Sequence, residues 1–154
     1  RAAALDALAA AVAEGRPFAA ELQALADPDL SSALGAVAEG GVPTLAALRE
    51  AFPEAAREAL RIARATSAED GWTDRLLDFL AAQTEARPLT PQAGTTPDAI
   101  LSRAEFALTE ARVADALAEL AALDPAVKAP LEAWIGAATT YVDATAALRA
   151  ARGE

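Results

Sequence analysis

Residues 95–120 read TTPDAILSRAEFALTEARVADALAEL, and this stretch decides the fold. Thr96 followed by Pro97 is a helix start: the hydroxyl can accept from a free N–H of the first turn, and proline's missing N–H costs nothing there. Leu101, Ala104 and Leu108 recur at helical spacing. A turn near Glu110 and Ala111 leads to a second stripe, Val113, Leu117 and Leu120. The pattern is helical nearly throughout the chain, so the reading is all-α.

The same punctuation extends outward in both directions. Leu5, Leu8 and Val12 make the first stripe, stopped by Gly15 and Pro17. Phe18, Leu22 and Leu25 follow, and Asp27-Pro28 starts a third helix with Leu30, Leu34 and Val37. After Gly40-Gly41, Thr44 caps a short fourth helix carrying Leu45, Leu48 and Phe52. Phe52-Pro53 starts a fifth running to about Thr66, with Glu54 in its first turn, and Ser67 with Asp70 resembles a capping-box start for a sixth bearing Trp72, Leu76, Phe79 and Leu80. Arg87 to Pro97 is rich in proline and threonine, with a short extended piece expected near Arg87 to Thr90. Beyond the stretch already quoted, Asp124-Pro125 starts another helix, Pro130 kinks or restarts it, and Leu131, Trp134, Ala138, Tyr141 or Val142, and Leu148 mark the last. The expectation is one helical domain over 1–154 with about eight or nine helices: front helices 1–84, a loop at 85–96, and back helices 97–154.

Composition removes whole classes of function. The 154 residues include no Cys, His or Met, so disulfides, zinc fingers, thiol nucleophiles and Ser-His-Asp triads are excluded. No EF-hand-like acidic loop occurs, and no cofactor or metal is expected. Thirteen cations against 23 acids give −10, which repels phosphate backbones and argues against nucleic-acid binding. The longest apolar run, Ala7 to Ala13, is far short of the roughly 20 residues of a spanning helix. The chain starts at Arg1 without a signal-peptide layout, and is expected to be a piece of a longer protein. The 47 alanines, and 12 arginines against one lysine, fit a GC-rich genome.

Catalysis is not expected. Glu69, Asp70 and Asp74 around Trp72 read as solvated helix-start acids, and Ser31, Ser32, Thr95 and Thr96 have no histidine base. Arg57, Arg61 and Arg64 stand at i, i+4 and i+7 on one helical face, with Arg49 and Arg75 nearby. From 49 to 75 the chain holds five cations against six acids, close to neutral within a strongly acidic whole. Such a ridge can meet lipid phosphates or an acidic partner, or it can be spent on local ion pairs with Glu54 and Glu58. Arg57, Arg61, Arg64, Arg75 and Trp72 are therefore the candidate lipid or partner contacts. The first helix, residues 2–14, lacks cations on its polar face and reads as a core helix, and Trp134 likewise as a core or groove anchor.

Three stretches resemble the C-terminal mitofilin domain of alphaproteobacterial relatives of the mitochondrial inner-membrane organiser. Glu14-Gly15-Arg16-Pro17-Phe18 with Glu21-Leu22 is similar to its opening element. Gly41-Val42-Pro43-Thr44 through Leu48 to Phe52 is similar to its second. The third runs from Gly71-Trp72 through Arg87-Pro88 and Pro97 to Glu105, continues at Ala116 to Leu120, and ends near Trp134. The sequence departs from the family where a Gly-Asp turn is usual: Thr109-Glu110-Ala111-Arg112 stands there. The resemblance implies an inner-membrane parent with a transmembrane helix and coiled coil, and this domain facing the periplasm or its intermembrane-space equivalent. It implies a non-catalytic scaffold that self-associates, meets a protein partner such as one at the outer membrane, and touches phospholipid. The back helices also resemble a tetratricopeptide-like hairpin plus one helix. That implies the alternative, a soluble adaptor holding a peptide in a groove near Leu101, Leu117 and Trp134.

Overall fold

A computed structural model describes residues 1–69 and 93–154 of the chain. The expected sixth helix, the extended piece at 87–90 and most of the 85–96 loop, with Trp72 and Arg75, lie outside the described residues. The described residues are helical, with no strand among them. The α-helices are α1 (Ala2–Ala13), α2 (Ala19–Leu25), α3 (Pro28–Leu34), α4 (Leu45–Glu69), α5 (Pro97–Thr109), α6 (Val113–Leu120), α7 (Pro125–Lys128) and α8 (Glu132–Arg152). Short 3-10 turns follow α3, at Gly35–Val37, and α7, at Ala129–Leu131.

The helix starts form as their chemistry requires. Asp27 Oδ1 accepts from the N–H groups of Asp29 and Leu30 at 3.1 and 3.2 Å. Thr44 Oγ1 accepts from Ala47 N–H at 3.1 Å, and Thr96 Oγ1 from Ala99 N–H at 3.3 Å. Each satisfies donors that a helix leaves open in its first turn. At Pro130 the chain passes from α7 through the 3-10 turn before α8 begins at Glu132.

One boundary is corrected. The expected fourth and fifth helices are a single helix, α4, with Pro53 inside it. Proline contributes no N–H to the ladder, but a stripe of buried side chains, Leu48, Phe52, Ala59 and Ala63, continues past it. Burial along that face outweighs the local penalty. Glu54 therefore lies mid-helix rather than in a first turn, and Ser67 is helical rather than a cap.

Contacts group the chain into two compact units that cut across the front and back halves. One comprises Arg1–Glu50 with Ile135–Glu154, the other Ala51–Trp134. In the first, Leu5, Leu8, Val12, Phe18, Leu22, Leu30, Leu34 and Val42 form a core completed by Ala144 and Leu148 of α8. Arg152 Nη2 reaches Asp6 Oδ1 at 2.8 Å, and Arg1 reaches Asp27 Oδ2 at 2.6 Å. Arg152 and Asp6 are exposed, so that pair adds little beside the apolar burial. In the second unit, α5 and α6 pack together. Ala104, Ala107 and Ala116 are fully or almost fully buried there, and small side chains let helix backbones approach closely.

Turn geometry fixes where these helices enter. α1 ends with Gly15 N–H donating to Val12 O and Arg16 N–H to Ala11 O, Gly15 having φ +68°. α5 ends with the same pair of bonds, Ala111 to Leu108 O and Arg112 to Ala107 O, but Ala111 holds φ +61°. This is the turn where the resembled family usually has glycine. A left-handed alanine costs roughly 1 kcal/mol that glycine avoids. Gly41, at φ +80°, runs so close to the α1–α2 turn that a Cβ there would lie 2.6 Å from Gly15 O. The first two resembled stretches therefore touch through their glycines.

In urea unfolding, Ala111→Gly is expected to stabilise the protein by about 0.5–1 kcal/mol. The same change at exposed, mid-helix Ala146 is expected to destabilise it by about 1 kcal/mol. Gly41→Ala combines left-handed strain with backbone overlap and is expected to lose more than about 2 kcal/mol.

Candidate contact surface on helix α4

Glu50, Glu54, Arg57, Arg61 and Arg64 follow one another in steps of four, three, four and three, and so form one stripe along α4. All five are exposed. The buried positions Leu48, Phe52, Ala59 and Ala63 lie on the opposite side of the same helix. The stripe is acidic at its N-terminal end and basic at its C-terminal end. The arginines stop short of the last turn, so the helix dipole does not account for them.

The three arginines are held differently. Arg61 grips Glu58 through two bonds, Nε to Oε2 at 2.9 Å and Nη2 to Oε1 at 2.6 Å. That hydrogen bonding, helped by the adjacent charge, holds the Glu58 carboxyl below its ordinary range and raises Arg61. Arg57 donates from Nε to the Pro53 carbonyl at 3.2 Å. Neither Arg57 nor Arg64 has a carboxylate within 4 Å among the described residues. Among the described residues, then, Arg61 is engaged in a local pair, and Arg57 and Arg64 are not paired with a carboxylate. Arg75 and Trp72, the other two candidates, fall outside the described residues.

The three residues expected to line a groove differ in exposure. Leu101 and Trp134 are buried, and Leu117 is half-buried. Trp134 packs edge-on against Phe52, ring centroids 5.0 Å apart at 67°, which makes it a core anchor.

Two clusters had no counterpart in the sequence reading. Arg103 spans from Glu119 Oε2 at 2.9 Å to the Gly94 carbonyl at 2.7 Å, fastening α6 and the preceding loop to α5. Arg112 pairs with Glu110 and Asp115, each at 2.7 Å, and its guanidinium lies 6.0 Å from the ring centre of exposed Phe106. The Arg103 bridge crosses a helix pair, so no single-helix spacing could signal it, whereas Arg112 and Asp115 stand at i, i+3. No group of three acidic side chains that could hold a metal occurs among the described residues. No described helix is long and apolar enough to cross a membrane.

Compared with family models, with curated proteins and with solved structures, the chain has no significant match.

The Glu58–Arg61 pair gives a direct pH test. A lowered carboxyl pKa means the favourable pairing is present above the ordinary glutamate range and is lost as pH falls through the lowered value. Carboxyl NMR titration should place Glu58 below the ordinary glutamate range, and Arg61→Gln should move it upward.

Proposed function

We propose that this chain is a non-catalytic, mitofilin-type scaffold domain that self-associates and makes contact with a protein partner and with phospholipid. Its parent is a membrane-shaping protein anchored in the inner membrane, and the domain faces the periplasm or the equivalent space. The observation that carries the contact reading is the α4 stripe: Arg57 and Arg64 point away from the buried face and have no carboxylate partner among the described residues. Arg75 and Trp72 remain candidates from the sequence alone and lie outside the described residues. The setting comes from the order of the three resembled stretches. The touching glycines at 15 and 41 add support, because they give the first two a shared structural role.

The reading includes the finer architecture of about eight or nine helices, with α5 and α6 as a tetratricopeptide-like hairpin. The packed α5–α6 pair also favours the second reading, a soluble adaptor for a peptide or protein. Burial of Leu101 and Trp134 weighs against the groove that this reading needs. Light scattering at two concentrations separates the readings, since the scaffold grows in mass on concentration and the adaptor stays monomeric.

Co-sedimentation with anionic vesicles tests the arginines. Each cation near such a surface contributes about 1 kcal/mol, so changing Arg57, Arg61 and Arg64 to Glu should weaken partition by on the order of a hundredfold. Equal sedimentation of variant and parent would overturn the lipid assignment.

A further inference from the structure

The cations of the described helices are concentrated on α4. Helices α1, α2, α3 and α6 carry none, α5 has Arg103, α7 has Lys128, and α8 holds Arg149 and Arg152 in its last turn. On α4, Glu54, Arg57, Glu58 and Arg61 alternate in sign, all four exposed and all within the Ala51–Trp134 unit. Steps of three, one and three residues keep them on one face of the helix, away from buried Phe52, Ala59 and Ala63.

The order is a palindrome in charge. About the midpoint between Arg57 and Glu58, the position of Glu54 mirrors that of Arg61, and Arg57 mirrors Glu58. A two-fold axis through that midpoint, perpendicular to the helix, brings every charge of the quartet to an opposite charge on a second, antiparallel copy of α4. Glu54 meets Arg61 of the second copy, Arg57 meets Glu58, and the reciprocal pairs follow from the symmetry. Parallel pairing in register sets like on like. A parallel offset of three residues matches only the glutamates and sets Arg61 against Arg64.

Within one chain the quartet is half satisfied. Arg61 holds Glu58 through bonds of 2.9 and 2.6 Å, whereas Arg57 Nε donates to the Pro53 carbonyl at 3.2 Å. Neither Glu54 nor Arg57 has an oppositely charged partner within 4 Å among the described residues. A second copy supplies both and joins the charges of the two helices in one network. Isolated exposed ion pairs contribute little, and networks contribute more. Complementarity of this kind selects the partner and its orientation more than it sets raw affinity. Exposed Ala51 and Ala65 on the same side leave the face without bulk between the charges. A uniformly anionic surface meets Glu54 and Glu58 among the arginines, whereas a second copy meets all four residues with opposite charge.

We propose that this face of α4 is a homotypic contact surface, through which two copies of the chain pair antiparallel by Glu54, Arg57, Glu58 and Arg61. The inference rests on the self-association in the proposed function and gives it a surface and a register.

Sedimentation equilibrium of the full chain at low salt tests the pairing. Glu54→Arg/Glu58→Arg makes the quartet wholly basic, and Arg57→Glu/Arg61→Glu makes it wholly acidic. Each variant alone should associate at least about tenfold more weakly than the parent, because like charges then face each other. An equimolar mixture of the two should associate about as tightly as the parent, one copy of each forming the pair. Added salt should weaken the parent and the mixture alike. Helical circular dichroism of each variant, with recovery in the mixture, separates loss of pairing from failure to fold. A single-sign variant that associates as tightly as the parent, or a mixture no tighter than its components, overturns the α4 pairing and leaves self-association to another surface. A parent that stays monomeric overturns self-association itself, and the pairing with it. If Arg57→Glu/Arg61→Glu changes only sedimentation with anionic vesicles, the arginines serve phospholipid and the pairing is overturned.

Discussion

A core without a buried polar side chain among the described residues has no hydrogen bond of its own to set how its helices register. Apolar burial is strong but non-directional, and alanine, which fills ten of the thirty buried apolar positions among those residues, offers little shape to interlock. Specificity falls instead on the places where backbone meets backbone. The tightest is the approach of Gly41 to the Gly15 carbonyl, which leaves no room for a Cβ. It places Phe18 and Val42, both buried, in the core of the first unit. Beside it, Phe18 N–H donates to Ala38 O at 2.8 Å, closing the same loop from the other side.

The caps and turns share that role. Asp27, Thr44 and Thr96 start α3, α4 and α5 with side-chain acceptors, and left-handed residues close α1, α2 and α5. Where the closing residue is glycine, as at Gly15, the geometry is free of strain. At Ala26 and Ala111 the chain accepts the same conformation with a Cβ in place.

The surface follows the opposite logic. The described ion pairs are mostly exposed and local, so each contributes little to stability and their pattern reflects how charge is displayed. Along the Glu50–Arg64 stripe the display is graded, glutamates first and arginines after, and Arg61 of that stripe holds a bidentate partner among the described residues. A strongly acidic chain thus keeps a cationic segment open at one helix face.

The sequence by itself determined the helical class, three capped helix starts, the restart at Pro130 and the arginine face. All are local: a cap, a proline or an i, i+4 spacing acts within one or two turns of chain. The tertiary structure decided that α4 runs through Pro53, because a buried stripe extending to Ala63 outweighs one missing hydrogen bond. It decided that Ala144 and Leu148 complete a core begun at Leu5, since apolar surface buries against whatever neighbour the turns deliver, however distant in sequence. It also placed Trp134 against Phe52 and Arg103 on Glu119, pairings across elements that no periodicity encodes. Of the candidate surface, the stripe was legible in the spacing. Which arginines stay open was not, because that depends on where each guanidinium finds a carboxylate in three dimensions.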